Sequence, residues 1–309
     1  MAKIFDPKEA LHCCISPLKI FFDSLKIVFT NKLLFLPIVC FTTLPLSFLI
    51  FTITFSTNTL RSRIYHLESL ALLVHTRMEA RHVWHESRDD AVSLLRIKTL
   101  FFLPCLPLSL AAAVSTFHVT LSAVTGNPAT VSSAVSAVTH NWKCPSVTVI
   151  VAYVILLAYA PVPRVLAAQI ASPEIRFLVS VIGSGFEVYL IAVLSMGFVV
   201  SIAEEKFGLE AIRVGSGLMK GRRLCGWVIS GVFVLVSGLI NRRVEILLKM
   251  KEGQYSTAEI DDWDKTVVIC LYGVVVMVSY VIISVFYCDC RRRHVIRDSE
   301  NDDNQIDPL

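Results

Sequence analysis

The sequence predicts an all-α integral membrane protein, a six-helix bundle with three amphipathic interface helices on its cytoplasmic face. Three observations lead to this fold class. Hydrophobic residues make up 54% of the 309 residues and charged residues only 17%, whereas a soluble domain carries about 25% charged residues. The apolar residues are gathered in blocks long enough to cross a bilayer. Short amphipathic stretches precede alternate blocks, as expected of helices that lie in the membrane interface.

The apolar blocks divide the chain into three regions. Residues 1–32 form a cytoplasmic N-terminus with an amphipathic helix, and residues 289–309 form a cytoplasmic tail that is basic and then acidic. The membrane domain, residues 33–288, lies between them and carries a hydrophilic insert at 56–98. Its six predicted spans are residues 33–55, 99–124, 145–171, 177–203, 225–240 and 266–288.

Prolines are expected to interrupt the first three spans. Proline removes a backbone donor, so a membrane helix tolerates it only where neighbouring groups satisfy the freed carbonyls. The prolines that should bend or break these spans are Pro37, Pro45, Pro104, Pro107, Pro161 and Pro163.

A three-part pattern recurs along the chain. An amphipathic helix leads to a span, a loop follows on the outer side, and a second span returns. The three units begin near Ser16, Thr130 and Leu209. In the first, Ser16 is a helix N-cap and Pro17 occupies the first helical position. The units share no recognisable sequence identity, so the repeat is one of pattern.

Two tight basic clusters favour an orientation with both termini in the cytoplasm, because positive charge in short loops stays on that side. We expect them to contact the membrane surface and its anionic lipids. The clusters consist of Lys220, Arg222, Arg223, Arg291, Arg292 and Arg293. The net charge of +4 is otherwise scattered, and the absence of a basic stripe with interleaved aromatics argues against nucleic acid as a partner.

Residues 199–221 resemble a pattern in a plant family of uncharacterised six-span membrane proteins. In that pattern a span ends in valines and an acid, followed by a glycine, an alanine-led helix with a central serine, and Lys-Gly. The matching residues here are Val199, Val200, Glu204, Gly208, Ala211, Ser216, Lys220 and Gly221. The N-terminal Ser-Pro helix and Trp142-Lys143 also fit, so the resemblance covers most of the chain.

More distantly, the pattern is similar to the membrane domain attached to some bacterial glycerophosphodiester phosphodiesterases. The hydrolase chemistry of those proteins lies in a separate soluble barrel, for which this chain has no room, so the resemblance implies topology alone. Gly215 and Gly217 depart from the family pattern and are expected to weaken the helix around the serine. Arg222 and Arg223 make this region more basic than the pattern.

Glu187 is the most distinctive intramembrane residue. It lies about ten positions into the fourth span, near the midplane at a rise of 1.5 Å per residue. A carboxylate there is costly and marks a candidate site for a proton, cation or substrate. Its expected basic partner is Arg164, provided that the break at the adjacent prolines turns that residue inward. The alternative is a protonated structural glutamate that is hydrogen-bonded to a neighbouring hydroxyl.

Two further sets of residues are weaker candidates. Four residues share one helical face and could hold a divalent metal, although nearby arginines favour a solvated, salt-bridged face: His75, Glu79, His82 and Glu86. We therefore predict no metal and no cofactor. Four cysteines flank membrane segments beside basic residues and are candidates for S-palmitoylation: Cys13, Cys14, Cys288 and Cys290.

Two classes of function follow from these patterns. The first is a non-enzymatic scaffold, membrane-organising protein or subunit, with the bilayer, anionic lipids and other membrane proteins or further copies of the chain as partners. The second is a transporter or channel that uses Glu187 as a mid-membrane polar site. Transporters usually bury several polar groups at mid-depth, and this chain offers one, so the first class is favoured. The endomembrane system and the plasma membrane both suit such a protein.

Overall fold

Helices account for all regular secondary structure in the part of the chain that is described. The computed structural model describes residues 7–73, 77–127, 130–168, 173–252 and 258–306. The helices are α1 Pro7–Thr30, α2 Lys32–Ile38, α3 Leu44–Leu73, α4 Arg77–Thr125, α5 Val131–His140, α6 Lys143–Tyr159, α7 Val162–Ala168, α8 Pro173–Ala203, α9 Gly208–Leu218, α10 Arg223–Glu252 and α11 Ala258–Ile306. A π-helical turn, Val39–Thr43, lies between α2 and α3. The prediction of an all-α protein is confirmed.

Several of these helices are long and apolar enough to cross a membrane. Within the described residues, five stretches meet both criteria: Lys32–Thr57, Arg88–Thr125, Glu174–Ala203, Arg223–Val244 and Trp263–Val295. Helices α5 and α6 meet them only as a pair, with a bend of 67° between the two. By length and composition these are the helices of a membrane protein, with five candidate spans in the described residues, or six if the bent pair forms one. The predicted count of six remains a prediction.

Two of the predicted proline breaks are present. The π-helical turn lies between Pro37 and Pro45, and α6 gives way to α7 at Pro161. In α4, in contrast, the helix continues through Pro104 and Pro107. The first and third predicted spans are therefore interrupted in their backbone hydrogen bonding, while the second remains helical throughout.

The helices continue beyond the predicted spans into the hydrophilic stretches. Helix α3 runs to Leu73 and α4 begins at Arg77, so most of the predicted insert is helical. Helix α10 runs to Glu252, and α11 continues through the predicted tail to Ile306. No glycine or proline occurs after Gly273 until beyond the end of α11, so the sequence offers no strong signal to stop that helix earlier.

The chain divides into two compact units. The first comprises Met1–Ile38, Leu110–Ile240 and Val275–Leu309, and the second comprises Val39–Ser109 and Asn241–Val274. Helices α4, α10 and α11 contribute residues to both units.

The first unit has a continuous hydrophobic core to which α1, α4, α8, α9, α10 and α11 all contribute. Its most deeply buried side chains include Val114, Val200, Met219 and Ile282. In the second unit, α11 approaches the N-terminal part of α3 closely at a glycine. A β-carbon on Gly273 would lie 2.8 Å from the Ser47 hydroxyl, so this contact requires the small residue.

Small hydroxyl side chains fill several core positions in the first unit. Ser24, Thr120 and Ser284 are at most 2% exposed, and each donates a 2.7 Å hydrogen bond to the carbonyl four residues earlier in its own helix. Large apolar side chains such as Phe22 and Phe29 are instead more than two-thirds exposed. This distribution suits a bilayer, because helix contacts favour small residues whereas lipid accepts large apolar ones.

Candidate functional site

The elbow between α8 and α9 turns through two residues in the left-handed backbone region. Glu205 has a φ of 54° and Gly208 a φ of 59°. Only glycine adopts this conformation without strain, which explains the glycine at the start of α9. The Gly208 amide is buried and donates to the hydroxyl of Thr148 on α6, with an N–O distance of 3.0 Å. A side chain of another helix therefore satisfies an amide that α9 itself leaves without a partner.

Two glycines allow α8 and α9 to pack backbone against backbone. A β-carbon on Gly197 would lie 2.7 Å from the Ile212 α-carbon, and one on Gly215 would lie 2.7 Å from the Gly197 amide nitrogen. Neither backbone atom can move aside as a flexible side chain would. Gly215 was expected only to weaken α9, and the structure gives it a packing role. Gly217 has open space around it, so it has no such role.

The acid at the end of α8 links this elbow to α11. The Tyr287 hydroxyl donates to a Glu204 carboxylate oxygen at 3.0 Å, and the Arg291 guanidinium donates to the same oxygen at 2.7 Å. The Lys206 ammonium lies 3.8 Å from the other oxygen. The Glu204 side chain is only 13% exposed, so these contacts replace most of the water that would otherwise solvate its charge. We call Glu204, Lys206, Tyr287 and Arg291 the Glu204 cluster.

Asp289, an acid on α11, forms the second such contact and pairs with the residue directly before α10. The Arg222 guanidinium pairs with the Asp289 carboxylate, and Arg293 lies 3.6 Å from the other oxygen of that carboxylate. Glu204 and Asp289 thus attach the C-terminal part of α11 to both sides of α9. Glu204 and Asp289 therefore form ion pairs with three of the six basic residues that were predicted to lie at the membrane surface.

A cavity of about 570 Å³ lies beside the Glu204 cluster, where the C-terminal ends of α4 and α8 meet α5 and residues 287–292 of α11. We call it the end cavity. Its volume falls within the range of about 300–1,000 Å³ that is typical of ligand pockets. The apolar wall includes Val114, Phe117, Leu121, Val124, Ala137 and Ile202. The polar groups on its lining include His118, Asn141, Tyr287, Arg291 and Arg292.

His118 carries a buried polar atom that the fold leaves unsatisfied. Its Nδ1 is buried and has no hydrogen-bond partner among the described residues. Such atoms are rare in proteins, because burial without a partner forfeits a hydrogen bond to water. Arg292 is exposed and also has no ion-pair partner in the described part of the chain. The end cavity therefore combines an apolar wall with an exposed arginine, Arg292, that has no ion pair to a described residue.

Helix α1 presents three different faces. Its buried face includes Pro17, Ile20 and Ser24. Next to it lies an exposed apolar stripe that consists of Leu18, Phe22 and Phe29. An exposed polar stripe follows, formed by Lys19, Asp23 and Lys26. A buried face beside an exposed apolar stripe and an exposed polar stripe is the pattern expected of a helix at a membrane interface.

Helices α5 and α9 also expose apolar residues next to polar ones. On α5, Ala134 is buried while Val131 and Val135 are exposed beside serines. On α9, Ala211 is buried while Leu209, 68% exposed, lies beside charged neighbours.

The comparison with protein families assigns the chain to one of them. A family model described as "Domain of unknown function (DUF8558)" matches residues 8–302. The chain belongs to this family. The match includes all of the residues that form the elbow, the Glu204 cluster and the end cavity of this DUF8558 chain. Comparison with curated proteins and with solved structures gave no match.

Glu187 lies near the middle of α8 in the DUF8558 chain and is exposed. The ring of Phe186, the preceding residue, has its centroid 5.3 Å from that of Tyr159 and 6.3 Å from that of Tyr189. The expected partner, Arg164, belongs to α7, but its side chain lies outside the described residues. The pairing of these two residues stays a prediction.

The six predicted basic residues of the DUF8558 chain fall into two groups. Arg222 and Arg293 lie within ion-pair distance of Asp289, and Arg291 lies within ion-pair distance of Glu204. The other three are exposed, without an ion pair to any described residue: Lys220, Arg223 and Arg292. These three cations are the ones available to a membrane surface.

The remaining predicted sites are covered only in part. Cys288 lines the end cavity and Cys290 is 3% exposed, which leaves the Cys290 thiol poorly placed for acylation. The side chains of Cys13 and Cys14 lie outside the described residues, and acylation there stays a prediction. The side chains of the metal candidate are likewise not described: His75, Glu79, His82 and Glu86.

Sequence reasoning identified Glu204 as a motif residue but missed the site that it helps to form. Tyr287, Asp289 and His118 were not among the candidates, and Arg291 was expected to contact lipid. The one available signal was the position of Glu204, an acid directly after a long apolar block, facing a distant cluster of arginines in the predicted topology. An acid and an arginine at the same end of neighbouring spans are natural partners.

Proposed function

We propose that this DUF8558 chain is a non-enzymatic, multi-pass membrane protein that organises anionic lipids and partner membrane proteins at the cytoplasmic face of its membrane. The observation that carries the proposal is the mixed surface of α1, α5 and α9. Each of these helices has a buried side, exposed apolar residues and exposed polar residues. Helices with such surfaces insert shallowly between headgroups and acyl chains, where they displace and order lipid.

The free cations support the lipid part of the proposal. Lys220 and Arg223 flank the junction between α9 and α10, and both are exposed without an ion pair to a described residue. A basic residue near an anionic membrane surface contributes about 1 kcal/mol of attraction. Neighbouring cations that are not neutralised by the protein are thus suited to concentrate anionic headgroups beside α9. We propose a cytoplasmic location for this side, as the basic clusters predict.

The resemblance to plant six-span proteins is consistent with this proposal, because it implies a topology without a reaction. The main alternative remains a transporter or channel that uses Glu187. The exposed position of Glu187 on α8 lends it little support, because a transport site is expected to face an interior pathway. Because the Glu187 carboxyl is exposed near the middle of α8, it is better placed to contact a partner protein or a second copy of the chain.

Reconstitution of the purified full chain tests both classes in one preparation. Phosphatidylcholine vesicles would contain a minor fraction of self-quenching fluorescent phosphatidylserine and an internal pH dye. We expect the protein to increase phosphatidylserine quenching and to leave proton flux at the level of protein-free vesicles. Replacing Lys220 and Arg223 by glutamine should remove about 2 kcal/mol of lipid attraction and lower the quenching toward the protein-free level.

The matched control for that pair is Lys220→Arg with Arg223→Lys, which keeps both charges and should keep the quenching. If the glutamine variant and the charge-conserving variant gave the same phosphatidylserine quenching, the lipid-organising role would be contradicted. The transporter alternative would instead be established if the parent chain raised proton flux above the protein-free level and Glu187→Gln, at normal protein abundance, abolished that increase. Loss of abundance alone in that variant would indicate a structural glutamate.

A further inference from the structure

The end cavity has the chemistry of a lipid site rather than of a water-filled cleft. Its wall is lined by aliphatic and aromatic side chains from four helices, among them Val114, Phe117, Leu121 and Ile202. Among the described residues, no acidic side chain lines it. A cavity of about 570 Å³ with such a wall favours an apolar ligand. Transfer of apolar surface from water into the cavity stabilises the complex in proportion to the area that is buried.

The polar groups are concentrated toward one end of this cavity. Tyr287, Arg291 and Arg292 follow one another over little more than one turn of α11, toward its C-terminal end. The Phe117 and Tyr287 rings meet edge to face with centroids 6.0 Å apart, so Tyr287 is level with the apolar wall on α4. Arg291 and Arg292 follow Tyr287 by about one helical turn, and Arg292 is exposed, so it can meet a headgroup at the surface while the chain contacts the apolar wall. The ligand expected from this arrangement has an apolar chain and an acidic head.

One observation indicates that the fold alone does not satisfy the site. Arg292 lines the same cavity without a described ion-pair partner, whereas its neighbour Arg291 is held by Glu204. A phosphate group accepts several hydrogen bonds and pairs with arginine through more than one oxygen, so it matches these groups better than a neutral head would.

We propose that the end cavity binds one acyl chain of an anionic phospholipid, with the phosphate headgroup on Arg292 and Arg291. The lipid enters from the surrounding membrane, because the exposed residues Val124 and Thr125 form part of the lining and open the cavity to the surface. Glu204 positions Arg291 for the headgroup through its 2.7 Å contact. The inference rests on the proposed membrane location of the chain but not on its role in organising bulk lipid.

Native mass spectrometry of the full chain in a neutral detergent tests the site, with dioleoyl phosphatidate as the probe. We expect one phosphatidate to bind more tightly than dioleoyl phosphatidylcholine. Arg292→Gln should weaken phosphatidate binding about tenfold, because a charge-assisted contact is lost. Arg242→Gln removes an exposed arginine that neither lines the cavity nor belongs to the basic clusters, and it should leave binding unchanged.

A second pair of variants tests the acyl chain. Ala137→Leu adds bulk to the cavity wall and should lower phosphatidate binding, whereas Val135→Leu lies on the exposed side of the same helix and should not. Equal losses in Arg292→Gln and Arg242→Gln would overturn the proposal in favour of non-specific surface charge. Displacement of the lipid by an equal concentration of inorganic phosphate would overturn it in favour of a site for soluble anions. If phosphatidate fails to bind while the protein still resists carbonate extraction from membranes, only this inference fails.

Discussion

Replacing Glu204 by alanine is expected to lower the free energy of unfolding by about 2 kcal/mol. The change leaves Tyr287 and Arg291 without their acceptor. Loss of one partner from a fully buried ion pair costs about 3–5 kcal/mol, and the value here is smaller because the Arg291 side chain is 51% exposed and water can solvate it. Thermal unfolding of the purified full chain in detergent measures the effect.

Glu205→Ala is the matched control, because Glu205 is the adjacent exposed acid and has no ion pair to a described residue. It should unfold at the same temperature as the parent chain. A double-mutant cycle between Glu204→Ala and Arg291→Ala should give a coupling energy of about 1 kcal/mol or more, since the two groups touch. Equal destabilisation by the two glutamate variants, or a coupling energy near zero, would contradict the role of the cluster.

Gly215→Ala is expected to destabilise the protein by about 2 kcal/mol, because it forces a methyl group into the backbone of α8. The new β-carbon would lie 2.7 Å from the Gly197 amide nitrogen, so α8 and α9 must separate. Gly197→Ala should have a similar effect, since its β-carbon would meet the Ile212 backbone at 2.7 Å. Both variants can be compared with the parent chain by thermal unfolding in detergent.

Gly217→Ala, two residues further along α9, is the control for this contact. No atom lies within 4 Å of the position that its β-carbon would occupy. Alanine loses less backbone freedom than glycine in a helix, so this variant should be as stable as the parent chain or more stable by about 0.5–1 kcal/mol. If Gly215→Ala and Gly217→Ala behaved alike, the close packing of α8 on α9 would be contradicted.

The helical fold class was predictable because its signals are local. Long apolar blocks and prolines act within a few residues, and the breaks near Pro37 and Pro161 occur where the sequence places them. The predicted N-cap at Ser16 was wrong, because α1 begins at Pro7 and continues through Pro17. Helix length was less predictable. Hydropathy shows where the apolar part of a helix ends, but not where the helix itself ends. Helix α11 continues beyond its apolar part, where the sequence has no glycine or proline to stop it.

The site was less predictable, because its contacts join distant parts of the chain. Glu204 and Arg291 are 87 residues apart, and the sequence contains no signal that pairs this acid with this arginine rather than with a lipid headgroup. Gly215 illustrates the same limit. Local propensity identifies the glycine as a helix-weakening residue, whereas its packing against Gly197 depends on how two helices cross.

Which face of a helix meets lipid was also hidden from hydropathy. In a soluble protein the apolar stripe marks the core, but here Phe22 is exposed while Ser24, on the same helix, is fully buried. A hydroxyl that bonds to its own helix backbone removes most of the penalty for burial, and its small size allows close packing. Apolar periodicity therefore predicts that α1 is amphipathic without showing which neighbour each face contacts.

Cysteine accessibility in sealed vesicles tests most directly the claim that α1, α5 and α9 lie on one side of a membrane-spanning bundle. Single cysteines would replace Lys19, Ser132 and Glu210 on the exposed sides of these helices, and Ser69 and Ser256 in the predicted outer loops, in a background without other cysteines. We predict that a membrane-impermeant thiol reagent labels the first three from the cytosolic side alone and the last two from the opposite side alone. Labelling of the three helices from different sides, or of position 69 together with them, would contradict the account.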